Sequence, residues 1–245
     1  MIITRAQGFA GKLARALGAL IILAHPLPGT ASEHAPLPDE NADDWTLRKQ
    51  VDNIRIYTMD QVNSGFQAFK AVAELDVPPE NLMAVMINPE SCKEWVHNCT
   101  ESFAFGQGTF YDRYAYSVND MPWPVTDRDY VLRIRTRGDA STGEIVMNLN
   151  AVPGMRAELS SRVRVDRSDT LYRLTPDGVG TRMVWVQHTD PNGALPGWLV
   201  NNLLIDIPVK SIQALEAVAK EQKYQDHRLE WTDDGNLKAV TPTEH

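Results

Sequence analysis

Apolar positions along this chain recur with two periods, and the changes between them lay out its elements. Asp43 or Asp44 stands where a helix N-cap is expected, and the polar stretch after it reads as a short helix through Gln50. Ile54-Arg55-Ile56-Tyr57 then alternates like a strand, and a second strand, Phe66 to Leu75, follows the Ser64-Gly65 turn. Pro78 and Pro79 stop that strand. Pro79 suits the first turn of a helix running to about Ile87, on which Leu82, Val85 and Met86 share a face, and Asn88-Pro89 ends it.

From Thr100 to Thr189 strand follows strand, with turn residues at Gly106-Gln107-Gly108, Gly138 to Gly143, Pro153-Gly154 and Pro176-Asp177-Gly178. This predicts an antiparallel meander. In the strand Tyr130 to Arg137, Tyr130, Leu132 and Ile134 alternate with Arg133, Arg135 and Arg137, so one face is apolar and the other solvated. The helical period returns near Pro196 and runs to about Gln222: Leu199, Leu203 and Ile207 are four apart, and Ala214, Leu215 and Val218 continue the stripe. Pro208 falls inside it and predicts a kink within the preceding turn. The tail from Tyr224 is acidic without a sustained period, Asp234-Gly235 being a weak hairpin signal.

The first residues carry a different message. Arg5, Lys12 and Arg15 precede the apolar run Ala16 to Ala24, which leads to Pro26, Pro28 and the small residues Gly29-Thr30-Ala31. That is the layout of an export signal cleaved after Ala31, and the run falls short of the roughly 20 residues that span a bilayer. Residues 1–31 are therefore read as a signal peptide, 32–42 as a linker, 43–222 as the folded domain and 223–245 as a tail. The expected location is the periplasm or the exterior of the cell.

Composition narrows the partners. Apolar residues at 43% and charged ones at 23% are ordinary for a folded domain. Losing residues 1–31 removes three positive charges and no acid, taking the net charge from −8 to −11. An acidic surface without a basic run gains nothing from nucleic acid backbones or anionic head groups, so no nucleic acid partner and only transient membrane contact are expected. Cys92 and Cys99 leave two readings open. On one continuous helix, seven residues rise about 10 Å, too far for a disulfide, whereas a turn near Trp95 to Asn98 would let them bond in an oxidising compartment. Otherwise both are buried thiols.

Three stretches, MINPESCKEWVHNCTES, PWPVTDRDYVLRIR and HTDPNGALPGWLVN, strongly resemble the START domain in order and spacing. START is the steroidogenic acute regulatory protein-related lipid-transfer module. The likeness covers about residues 43 to 222. Its most diagnostic part is Asp190, Pro191, Gly193, Pro196, Trp198 and Asn201, together with the pair Arg128-Asp129 after Pro124. The resemblance implies an α+β, helix-grip fold: a curved antiparallel sheet wrapped around the long C-terminal helix, with an internal apolar cavity. It further implies an apolar ligand such as a sterol, phospholipid or fatty acid, bound and transferred without catalysis or cofactor.

On that reading Tyr130, Leu132 and Ile134 line the cavity, with Met147, Leu149 and Trp185 on later strands, while Leu199, Leu203 and Ile207 face inward from the last helix. Each of these could equally be plain packing. Alternation puts Arg128 inward as well, either as a ligand contact or as a structural cation, and Asp127 and Asp129 are read as bridging arginines or capping turns. His188 and Asp190 resemble an acid/base pair but enter a turn, which favours a structural role. Trp123, between two prolines, either plugs the core or touches a membrane. No metal spacing, phosphate loop or nucleophile elbow is present. The rival readings are a cyclase- or hydrolase-like enzyme on the same fold and a periplasmic adaptor.

Overall fold

In a computed structural model, strands β1 (Thr46–Val51), β2 (Ile54–Met59) and β3 (Ala68–Leu75) open the domain. Helices α1 (Pro79–Ile87) and α2 (Cys92–Trp95) come next. The meander is β4 (Cys99–Phe105), β5 (Asp112–Asn119), β6 (Arg128–Asp139), β7 (Glu144–Ala151), the short β8 (Val163–Arg164), β9 (Arg167–Asp177) and β10 (Gly180–Asp190). Helix α3 (Gly197–Ala219) follows, then β11 (His227–Trp231) and β12 (Leu237–Pro242). The structure describes residues 1, 36–193, 195 and 197–243, without the side chains of 197, 198, 201 and 202. The export segment Arg5 to Ala31 and Pro196 lie outside the described residues.

Ten strands form one sheet in the order β1-β2-β3-β10-β9-β7-β6-β5-β4, with β8 beside β6. All neighbours are antiparallel except β6 and β8. Because β3 pairs with β10, the first hairpin joins the last meander strand and the sheet holds together only when strands distant in sequence meet. One register row runs across it, Arg113 opposite Ile134, Ile134 opposite Leu149, Leu149 opposite Thr170 and Thr170 opposite Gln187. Side chains in such a row share a face, since a strand alternates its faces with period two. The main core lies between that face and the helices, with Leu82, Met83 and Val85 of α1 and Ile212, Leu215 and Val218 of α3 packed against Ile56, Ala71, Leu174 and Met183.

Three expectations change. The stretch after Asp44 is an edge strand rather than a helix: β1 pairs with β2 around a two-residue turn, Asp52-Asn53, in which Asp52 has φ 49°. The hairpin turn, which tolerates Asp and Asn in the left-handed region, decides the backbone where local propensity does not. Residues 36–42 are not a bare linker. Glu40 pairs with Arg173 at 3.1 Å, its carbonyl accepts a 2.7 Å hydrogen bond from Lys70, and Leu37 and Trp45 cover Val72, Val184 and Val186 on the sheet's outer face.

The tail is likewise part of the domain, since β11 and β12 form a hairpin whose Leu237 is fully buried while Leu229, Trp231 and Val240 pack on the core. Gly138 permits this contact: a Cβ there would come within 2.8 Å of Leu237 Cβ and 3.1 Å of Trp231. Helix α3 is continuous over 23 residues with Pro208 in its interior.

Candidate functional site

Between the sheet, α1 with α2 and α3 lies a cavity of about 250 Å³. Strand β6 supplies Tyr130, Leu132 and Ile134, β7 supplies Met147 and Leu149, β10 supplies Trp185 and α3 supplies Ile207. These seven stand where the sequence reading put them. Three others do not: Arg128, Leu199 and Leu203 are not among the described lining residues. For the helix the reason is position. α3 starts at Gly197, and of its inner stripe Ile207 is the residue that reaches the cavity, while Leu204 packs on the core; Leu199 is buried and Leu203 half-buried outside the lining.

Arg128 is buried because its guanidinium does structural work at one end of the sheet. Nε donates to the carbonyl of Pro191 at 3.0 Å, Nη1 to Thr126 at 2.5 Å and Nη2 to Asn192 at 2.7 Å. Three carbonyls thus offset its desolvation, and the loop entering α3 is clamped to the start of β6. Asp129 points to the outer face, where it takes a two-pronged contact from Arg164 at 2.9 Å and a hydrogen bond from the Tyr116 hydroxyl at 2.9 Å. Burial would raise its pKa, but the bonds from Arg164 and Tyr116 outweigh that and hold the carboxyl below its usual range. Asp127 accepts from the Met121 amide at 3.1 Å, a turn-closing bond.

His188 Nε2 donates to the carbonyl of Phe66 at 3.2 Å, 3.1 Å from Ser64 Oγ, while Asp190 accepts from the Asn192 amide at 3.1 Å. The two are tied to separate turns. Burial, reinforced by Arg167, lowers the His188 pKa. Cys92 and Cys99 are disulfide-bonded with Cα atoms 6.0 Å apart. The chain turns between them, Val96 capping α2 and Asn98 adopting φ 67°, so the turning alternative holds. Trp123 is 92% exposed and does not plug the core.

Sequence reasoning missed the polar part of the lining. Ser102 on β4, Ser117 on β5, Ser168 and Thr170 on β9 and Gln187 on β10 all border the cavity. So does Arg113, in phase with Ala115 and Ser117 on β5. A charged residue sharing an alternation phase with Ala115 was the available signal; small hydroxyl residues in inward phase read like a solvated face. Trp95, Tyr172 and Trp185 pack edge-on or tilted at centroid distances of 5.1 to 6.4 Å, forming an aromatic wall. Burial raises the Tyr172 pKa and pushes Tyr130 up to about 12, so both stay neutral phenols. The described lining contains no carboxylate and no histidine, and no group of residues that could hold a metal occurs among the described residues.

Residues 30–224 match the family model of the START domain. The chain belongs to the START domain family. An uncharacterized protein of Pseudomonas aeruginosa is 30% identical over 182 residues, covering 74% of this chain and 89% of the other. The phosphatidylcholine transfer protein of Rattus norvegicus is 26% identical over 166 residues, 64% of this chain and 75% of that one. Among solved structures, the STAR-related lipid transfer protein of Xanthomonas axonopodis superposes with a TM-score of 0.68 at 26% identity. It matches 73% of this chain and 100% of its own. Human STARD10, at a TM-score of 0.67 and 20% identity, matches 78% of this chain and 84% of its own and shows the same fold. The START architecture is thus an α+β sheet gripping a C-terminal helix, and the rat and Xanthomonas relatives are by name lipid transfer proteins.

Proposed function

We propose that this chain is an exported lipid carrier that binds an apolar molecule in the cavity and moves it between membranes chemically unchanged. The observation that carries this reading is the lining itself: largely apolar and aromatic, inside a START fold, with neither carboxylate nor histidine among its described residues. A carrier of this kind lowers a large barrier, because each methylene left in water costs about 0.8 kcal/mol and a 16-carbon chain leaving a bilayer unaided faces roughly 13 kcal/mol. General acid/base chemistry needs a group that titrates near the working pH. The described lining offers tyrosines, of which Tyr130 and Tyr172 are held neutral by burial, and an arginine instead.

Membrane contact falls to the loops at one end of the sheet. Trp123 is 92% exposed and Val62 75%; Arg128 ties the loop after Trp123 to Pro191 and Asn192, and His188 ties that strand to Ser64. An exposed tryptophan suits the interfacial zone of a bilayer, and an otherwise acidic protein then docks briefly. Export follows from Arg5 to Ala31 as argued from sequence.

The test is to purify the protein from its native compartment, extract it with organic solvent and identify the extract by mass spectrometry, then add the recovered compound back in vesicle transfer. An apolar compound carried over unaltered is the expected result. Recovery of a modified compound, or a polar extract, overturns the carrier reading, and an intact Met1 in a cytosolic fraction overturns export.

A further inference from the structure

One charged side chain in the cavity wall has an unfilled hydrogen-bonding position. Arg113 stands in the register row with Ile134, Leu149, Thr170 and Gln187, and it borders the cavity. Its Nη1 donates to the carbonyl of Phe110 at 2.7 Å and to Thr136 Oγ1 at 2.9 Å, and the ring of Phe110 lies 6.0 Å from the guanidinium carbon. These contacts orient the group. Nη2, in contrast, is buried with no hydrogen-bond partner among the described residues, and no acid there offsets the charge.

Two other buried arginines are held differently. The guanidinium nitrogens of Arg128 and Arg164 all meet carbonyl or carboxylate oxygens. A buried cation with donors unmet is costly to hold, and the arrangement makes sense when a ligand oxygen completes it. Desolvation pushes the Arg113 pKa down to about 10, which leaves it cationic at neutral pH. A planar guanidinium fork is matched by carboxylate and phosphate oxygens.

We propose that Arg113 Nη2 binds the oxyanion head of a single-chain amphiphile, a carboxylate or a phosphate, whose apolar chain lies along Ile134, Leu149, Tyr172 and Trp185. This rests on the cavity being the ligand site proposed above and names the ligand class within it. The chain count follows from size: about 250 Å³ lies below the roughly 300–1,000 Å³ of drug-sized sites, which leaves no room for two acyl chains. The head is buried beside Thr136 and Phe110.

The test compares three probes of equal chain length, palmitate, hexadecanol and palmitoyl lysophosphatidate, on delipidated full-length protein, its Arg113→Met variant and its Arg113→Lys variant. Palmitate or lysophosphatidate should bind wild type about 10- to 100-fold more tightly than hexadecanol, the scale of a hydrogen bond to a charged group. Whichever anion binds more tightly identifies the head. Arg113→Met should abolish that preference while hexadecanol affinity stays within about twofold, and Arg113→Lys should keep part of it. An unchanged anion preference in folded Arg113→Met overturns the anchor and leaves the carrier reading standing. Failure of wild type to bind any of the three overturns both. Should Arg113→Met not fold, wild type decides alone. Palmitate affinity should drop as pH falls through the carboxylate range, and an affinity that holds or rises there overturns the anchor, because a protonated head has lost its charge.

Discussion

Where β6 meets β8, buried charge is held by complete pairing. Asp129 and Arg164 are both almost wholly buried, and Arg164 also donates to the carbonyls of Pro153 and Arg156. Removing one member leaves the other charge uncompensated, so Asp129→Ala should lower the unfolding free energy by about 3–5 kcal/mol in urea titration. A loss under 1 kcal/mol would show that the pair does not hold β6 to β8. Because the folded state keeps the Asp129 pKa low, its contribution is present above the ordinary aspartate pKa and disappears as pH falls through the folded value. His188 acts with the opposite chemistry. Its folded pKa is lowered from 6.5, first by burial and then by Arg167, so the unfolded chain binds the proton first and stability drops as pH falls below 6.5. His188→Gln should flatten that slope in melting experiments, with His97, also lowered by burial, supplying what remains. A slope identical to wild type would take His188 out of the account.

At the scale of elements, β6 forms the wall and α3 covers it, and the two contribute unequally. Leu132 lines the cavity, whereas Leu203, expected beside it, does not. Leu132→Trp should therefore fill cavity volume and weaken ligand binding, with about 1–3 kcal/mol of overpacking cost, while Leu203→Trp leaves equilibrium binding unchanged. Equal loss in both variants would mean that α3 reaches the ligand one turn earlier than its described position. The disulfide belongs to this scale too. By joining the start of α2 to the start of β4, Cys92–Cys99 holds Trp95 against Tyr172 and Trp185, and Cys92 itself borders the cavity.

For the whole molecule, contacts between strands distant in sequence determine closure. Strand β3 meets β10, and the hairpin of β11 and β12 seals one side of the core with Leu237. On the proposed carrier function, loading and release fall to the loop end, where Trp123 stands clear of the core. Trp123→Ala should slow transfer between vesicles severalfold while leaving ligand affinity and melting temperature near wild type, because a single exposed ring contributes to docking and not to packing. Stopped-flow transfer beside equilibrium binding separates the two. An unchanged transfer rate would place the membrane contact elsewhere.

The sequence by itself determined what local periodicity and rigid residues specify. Pro79 and Asn88-Pro89 bound α1 at its observed ends, and Tyr130, Leu132 and Ile134 announce the cavity face of β6 because a strand alternates strictly. The diagnostic stretches around Arg128 and Asp190 were enough to recognise the family. What they could not specify is which neighbour an inward side chain meets. Arg113 and Arg128 are both arginines on the apolar phase of a strand; only the docked loop of Pro191 and Asn192 makes one a clamp, and only the absence of such a loop leaves the other facing the cavity. The same limit hid β1, settled by its turn and its pairing with β2, and the β11–β12 hairpin, whose short apolar alternation gains a reason to fold only from the core surface it covers. Periodicity is a property of neighbours along the chain, whereas partnership and enclosure are made by residues distant in sequence, and those exist only once the sheet has closed around α3.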